Sequence, residues 1–340
     1  MQLAEVEARI LEDDLMKRDY TVDTGRLQAT EEGRLVIEEG GSYPCQVIEP
    51  TDFALTQLLQ KTGVPVRYGK RIPRWLMAQN VNYGLEQYGK PLFLRAKGEA
   101  LRAVLSERYA AFDNIRVVEA LSNILPGRAE FEIDQLWLDD RGLMLNIVFP
   151  EMTYDVGNGD GKPDILKVGV LVGNSEIGAR SVFAVPRLLR LVCSNGMVRW
   201  VEGAGGFSMP HMGHGPWEME EGLAKGIARS AQIGYESLDK IRESIRQEVS
   251  QPLSIIEKLA EKKGLPKVLA DEAKTSLEQD TAWGVINAFT SSAKRYDGER
   301  RIEVEQFAGW LLDHPELMDL ANLDKVDEIK ASGFEIEQAE

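Results

Sequence analysis

Histidine is scarce in this chain: His211, His214 and His314 are the three among 340 residues. Two imidazoles three apart in a glycine-rich stretch make a poor zinc site, so His211 and His214 are expected to be free loop residues. Cysteine is scarcer still. Cys45 and Cys193 lie in different regions, which excludes a disulfide framework and suits free thiols in a reducing cytoplasm. Cys193, in LLRLVCSNG, has no histidine close in sequence to activate it and is expected to be a buried structural thiol. No apolar run approaches the roughly 18–20 residues that a membrane span needs. The opening MQLAEVEARILEDDL is acidic and amphipathic, unlike a signal or transit peptide. No serine sits in a G-x-S-x-G elbow. Gly169, Gly173 and Gly178 follow a strand pattern, but their spacing is neither a Walker loop nor a dinucleotide fingerprint. The chain is therefore expected to carry no catalytic residue and no cofactor.

What is present is a soluble composition, 43% hydrophobic and 28% charged, in a chain long enough for two domains. The net charge of −15 is unevenly spread. Residues 1–52 hold 5 basic and 13 acidic side chains, and residues 296–340 hold 4 and 13. Residues 66–102 reverse this with 8 basic and 2 acidic, and residues 162–201 with 6 and 2. Acidic ends thus flank two cationic zones, which reads either as solvated faces or as an anion-binding groove.

Periodicity divides the chain into an acidic arm (1–52), a mixed helical region with a basic cluster (53–127), a β-rich core (128–203), a glycine-rich linker (204–216), a helical domain (217–315) and an acidic tail (316–340). Within the arm, Leu3, Val6, Ile10 and Leu11 recur at helical spacing, and Tyr20 to Glu39 suits a small strand or a loosely held segment. Thr51 is an N-cap for the helix FALTQLLQKTG, which Gly63 closes. Two alternating runs around Asp139-Asp140-Arg141-Gly142 signal a hairpin, and ILKVGVLV and ARSVFAV add two strands. Pro186 leaves a fork. PRLLRLVCSNG is either a short helix that places Arg187 and Arg190 on one face, or an extended strand that sends them to opposite faces. The fold class is α+β, a mainly antiparallel sheet core with packed helices followed by a helical C-terminal domain.

Three constellations merit weighing. Asp155, Asn158, Asp160 and Asp164 cluster as in a calcium loop, but no glutamate closes the pattern, and a long turn between strands needs Asn, Asp and Gly in any case. Arg67, Tyr68, Lys70, Arg71, Arg74, Trp75, Tyr83 and Tyr88 interleave cations with rings, which suits a phosphate backbone beside stacked bases. Lys167, Arg180, Arg187, Arg190 and Arg199 stud the central segment beside Trp200, and guanidinium groups bind phosphate bidentately.

GNSEIGARSV followed by RLVCSNGMV resembles the signature of the phage- and plasmid-like proteins grouped as a bacterial domain of unknown function. LRAVLSERYAAFDN and TAWGVINAFTSSAKR extend the likeness over roughly Leu92 to Ala308. The layout of hairpin, further strands and helix also resembles single-strand annealing proteins of the RecT, Redβ and Rad-fifty-two type. That likeness implies oligomeric rings or filaments that hold single strands along a basic groove in the cytoplasm of a bacterial host. The expected function is thus single-stranded DNA binding and annealing. Lys167, Arg180, Arg187, Arg190 and Arg199 would line one wall of the groove, residues 67–74 the other, and Trp75 or Trp200 would stack on bases. Reversing Arg187 and Arg190 to Glu is expected to abolish binding without harming the fold. A rival is a regulatory or counter-defence factor of a mobile element that binds a host or phage protein through its acidic tail. A third possibility is a metal-dependent activity at the 155–164 loop.

Overall fold

In the computed structural model of the protein, the structure describes residues 1–40, 44–124, 130–157, 161–191, 195–198 and 206–327. The architecture is α+β, with two mainly antiparallel sheets, helices packed on both and a helical C-terminal portion.

The first sheet is built from β1 (Lys17–Val22), β2 (Leu27–Ala29), β3 (Leu35–Ile37), β4 (Gln46–Pro50), β5 (Leu92–Lys97) and β6 (Ala100–Ser106), in the order β1-β5-β6-β4-β3-β2. Residues 1–52 are therefore not an arm. Tyr20, Val22, Leu35, Ile37 and Ile48 are buried in the core of this sheet, and β1 pairs with β5 along its whole length. Alternation over three to six residues was too short a signal to reveal this, because the pairing partners lie about seventy residues downstream. Between β4 and β5 run α2 (Asp52–Lys61), α3 (Val66–Gly69) and α4 (Arg74–Tyr88). Thr51 caps α2 as expected, its hydroxyl accepting from the Ala54 N–H at 3.2 Å. Gly89 closes α4 in the left-handed conformation, φ 59°.

The second sheet is a meander of β7 (Glu132–Asp139), β8 (Gly142–Asp155), β9 (Ile165–Asn174), β10 (Val182–Arg190) and β11 (Asn195–Val198). Pro186 sits inside β10, which settles the fork in favour of a strand. On one side β10 pairs with β9 throughout. On the other, β12 (Phe207–Met209) pairs with Val182–Ala184 and β11 with Arg187–Arg190. Pro186 falls in the gap between those two partners, where no ladder bond is lost to its missing N–H. The linker expected at 204–216 thus contains a strand.

Helices cover both faces of this sheet. On one face lie α1 (Leu3–Asp14), α5 (Asn114–Ile124) and the 31-residue α6 (Pro216–Arg246). Small residues every four positions let α6 lie against the strands. A Cβ on Gly226 would come within 2.2 Å of Phe207, and one on Gly234 within 2.6 Å of Val168. Between them the Ser230 hydroxyl donates to the Ala184 carbonyl of β10. The C-terminal helices α7 (Pro252–Lys262), α8 (Lys267–Thr275), α9 (Ala282–Ala293) and α10 (Gly298–Asp313) form the largest apolar cluster with the second half of α6. The tail expected from 316 is packed down as far as Asp327, with Leu317, Met318, Leu323 and Val326 buried. Among the described residues no helix is long and apolar enough to cross a membrane.

Candidate functional site

The signature GNSEIGARSV lies between β9 and β10, and every residue from Asn174 to Ser181 is buried. Connections usually run over the surface, because a buried one must satisfy its polar groups within the protein. Here most of them are met from elements of both sheets, Asn174 Oδ1 and Arg180 Nε and Nη1 being without a partner among the described residues. The Asn174 amide donates to the Phe112 carbonyl at 2.8 Å and to Asn114 Oδ1 at 2.9 Å. Ser175 Oγ donates to the Arg141 carbonyl at 2.6 Å and accepts from the Ala179 N–H. Tyr109 donates to the Ser175 carbonyl, Arg95 to that of Glu176 and Gln57 to that of Ile177.

Glu176 is the centre of this joint. Its carboxylate is 0% exposed. It accepts from the Asn114 N–H at 2.9 Å and pairs with Lys17 at 2.8 Å and Arg102 at 3.1 Å. Burial pushes its pKa up, but Lys17, the Asn114 N–H and Arg102 outweigh that, so it lies below its ordinary value. Arg95 continues the network with both nitrogens of its fork on Asp19, at 2.9 and 3.0 Å, and a further bond to Asp113. His211 stacks on Tyr109 with ring centres 5.0 Å apart and is 1% exposed, so it is no free loop residue. Burial lowers its pKa to about 4 against a hydrogen bond to the Ala110 carbonyl. The signature joins the two sheets with matched buried charges. It presents no nucleophile beside a base.

The central arginines expected to form a groove are also interior. Arg187 is 1% exposed, and its Nε and Nη2 bind both oxygens of Glu305 on α10, at 2.9 and 2.8 Å. Arg190 is buried against Asp164 at 2.7 Å and Glu278 at 3.2 Å. Arg180 is 1% exposed, 3.3 Å from Glu299, with Nε and Nη1 unbonded. Lys167 is half-buried and 3.6 Å from Glu132. A guanidinium already desolvated against a carboxylate cannot pair with a phosphate without stranding its partner, so Arg180, Arg187 and Arg190 are engaged within the fold. The expectation that Arg187 and Arg190 reversed to Glu would spare the fold fails for the same reason. Arg199, Trp200 and Cys193 lie outside the described residues.

The 155–164 loop has a structural use in its described part. Asp155 Oδ1 accepts from the N–H groups of Gly157 and Asp164, and the Asp164 carboxylate is occupied by Arg190 and the Trp283 N–H. Asn158 and Asp160 lie outside the described residues. Among the described residues no group of three His, Cys, Asp or Glu is placed to hold a metal ion.

The cluster on α3 and α4 stands in contrast. Arg67, Arg71 and Arg74 are exposed, as are Tyr68 at 46%, Trp75 at 49% and Tyr83 at 66%. Trp75 and Tyr83 are eight residues apart on α4, or about 12 Å along the axis and near one face. Arg67 and Arg71 make no ion pair among the described residues. Lys70 pairs with Asp52 at 2.8 Å at the surface, and Arg74 donates to the Glu32 carbonyl while lying 3.9 Å from Glu49. Tyr68 and Tyr83, which interleave with these cations in the sequence, are thus exposed beside them, while Tyr88 packs against the core of the first sheet.

A family model described as "Domain of unknown function (DUF932)" matches residues 102–309. No curated protein and no solved structure matches the chain.

Proposed function

The chain belongs to that family of unknown function, and we propose, from its own surface, that it binds single-stranded DNA through the α3–α4 face. The observation that carries this reading is the coincidence of three exposed rings with unpaired guanidinium groups over residues 67–83. Rings in water offer every base a stacking surface, and free cations neutralise the backbone that connects the bases. Trp75 and Tyr83 are the stacking platforms, and Arg67 and Arg71 are the phosphate contacts. Lys70 and Arg74 exchange weak surface partners for phosphate at little cost. Annealing by an oligomer is the activity such binding would serve, since strands held extended with their charge neutralised meet their complements faster.

A specific observation favours a second reading. Arg180 and Arg187 pair with Glu299 and Glu305 of the acidic C-terminal zone. A regulatory factor whose charges are spent internally would show the same pattern. Fluorescence titration of the full chain with labelled oligo(dT) at two salt concentrations, with duplex in parallel, separates the two. The proposal expects salt-sensitive binding that prefers single strands and weakens about tenfold in Trp75→Ala, an effect on the order of 1–3 kcal/mol per stacked base. No binding at low salt retires it in favour of a protein partner.

A further inference from the structure

Beside the buried signature lies a cleft of about 520 Å³ that neither the α4 face nor the ion-pair network uses. Its volume falls within the range of small-molecule sites, roughly 300–1,000 Å³. Phe53, Gln60 and Lys61 of α2 form one wall. Ser106 at the end of β6, Tyr109 and Met212 face them. The cleft is therefore assembled from the first sheet and from the segments that join it to the second.

Three features of these walls narrow the ligand. First, Lys61 is half-buried and makes no ion pair among the described residues, unlike Lys17, Arg95 and Arg102 a short way behind it. The adjacent turn adds Glu107 and Arg108, whose charges offset each other. One uncompensated ammonium thus faces a concave wall, which concentrates its field on a single anionic group. Second, Phe53 is half-buried and supplies a ring surface, while Tyr109, 8% exposed and stacked on both Phe93 and His211, fixes the wall beside it through its bond to the Ser175 carbonyl. Third, the Gln60 amide and the Ser106 hydroxyl have no hydrogen-bond partner among the described residues and offer both donors and acceptors at the edge of the rings. Gln57 is excluded from this role, because its amide is consumed by the Ile177 carbonyl and the Val104 N–H.

We propose that the cleft binds one nucleoside 5′-monophosphate, with the phosphate on Lys61, the base along Phe53, and Gln60 at the base edge. One ammonium is enough to anchor one phosphate, so a monophosphate is the smallest ligand that uses every feature of the cleft. The same chemistry comes from two sources, a free nucleotide or the phosphorylated 5′ end of a strand. This site does not rest on strand binding by α4, since the two share no residue.

The test is equilibrium dialysis of the full chain against labelled dAMP and dTMP, with inorganic phosphate and deoxyadenosine as competitors. Saturable binding of a monophosphate is expected, with each competitor weaker than the intact nucleotide. Lys61→Gln and Phe53→Ala should each weaken it about fivefold or more at an unchanged thermal midpoint for Lys61→Gln. Trp75→Ala should leave it unchanged, which keeps a failure of strand binding distinct from a failure here. Competition by a 5′-phosphorylated oligonucleotide, but not its 5′-hydroxyl form, would assign the strand end as the source. Competition by neither would assign the free nucleotide. No saturable binding at millimolar nucleotide, an unchanged affinity in Lys61→Gln, or inorganic phosphate binding as tightly as dAMP would each overturn the proposal.

Discussion

The second sheet and the α3–α4 face both set arginine beside an aromatic ring. In the sheet, the Arg187 guanidinium lies 5.5 Å from the centre of the Trp137 ring, and its fork is closed on Glu305. On the α3–α4 face, Arg71 in the turn before α4 and Trp75 in its first turn both stand exposed, four residues apart in sequence. Residue type and local charge are alike in the two places, and water is the difference. Removing a guanidinium from water costs several kcal/mol, which only a well-placed carboxylate offsets. Once that pair exists, the arginine serves the fold. An arginine that keeps its water keeps its capacity to bind an anion.

That contrast can be broken most forcefully at Glu305, which holds Arg187 and, at 2.9 Å, Arg301. Glu305→Ala strands both guanidinium groups and should cost about 3–5 kcal/mol of stability in urea unfolding. The apolar triple Arg187→Met, Arg301→Met and Glu305→Leu, which leaves neither guanidinium stranded, should recover much of that loss. A cost below about 1 kcal/mol for Glu305→Ala would show that the pair is not structural, and the distinction drawn between the two regions would fall.

Acid probes the joint between the sheets. His211 is held neutral by burial, with a pKa of about 4 against about 6.5 when unfolded. Stability is therefore complete above the unfolded value and lost as pH falls from about 6.5 towards 4, by about 3 kcal/mol at most. Glu176 has its pKa lowered by Lys17, the Asn114 N–H and Arg102 against the effect of burial. Its contribution persists above the ordinary carboxylate range and is lost as pH falls through the lower folded value. Urea unfolding between pH 7 and pH 3 should show both phases. His211→Phe should flatten the upper one and Glu176→Gln the lower one. A wild-type profile level from pH 7 to pH 5 would contradict the assignment to His211.

The smallest effect on stability is expected where the largest effect on binding lies. Arg67→Glu with Arg71→Glu should change unfolding free energy by no more than about 0.5 kcal/mol per site. The same variant should reduce the slope of log affinity against log salt by about 1.4, since each single-strand phosphate contact contributes roughly 0.7. An unchanged slope in the folded variant would remove these two residues from the interface.

Much of the secondary structure was legible from periodicity. The hairpin at Asp139–Gly142, the helix capped by Thr51 and the helical run after Trp217 are all present. Patterns of this kind are local, and the spacing that reveals them is the spacing that buries them. The strands of residues 17–50 were legible only as one small strand or a loose segment, because each is short and the sheet closes through β1 on β5 and β4 on β6, partners far along the chain. The exposed cluster of residues 67–75 was legible because surface residues need no partner to be identified. Glu176 and its cations were not, although a lone acid between two apolar strand patterns is a signal that a cation must meet it from elsewhere.

By itself the sequence determined the α+β class, the two cationic zones and the signature around Asn174. Only the tertiary structure decided which of those cations face water, Arg67 and Arg71 doing so while Arg95, Arg102 and Arg187 are buried. Charge is a property of the residue, but its availability depends on whether a carboxylate more than a hundred positions away, as Glu305 is from Arg187, is folded against it. No reading of neighbours in sequence contains that distance.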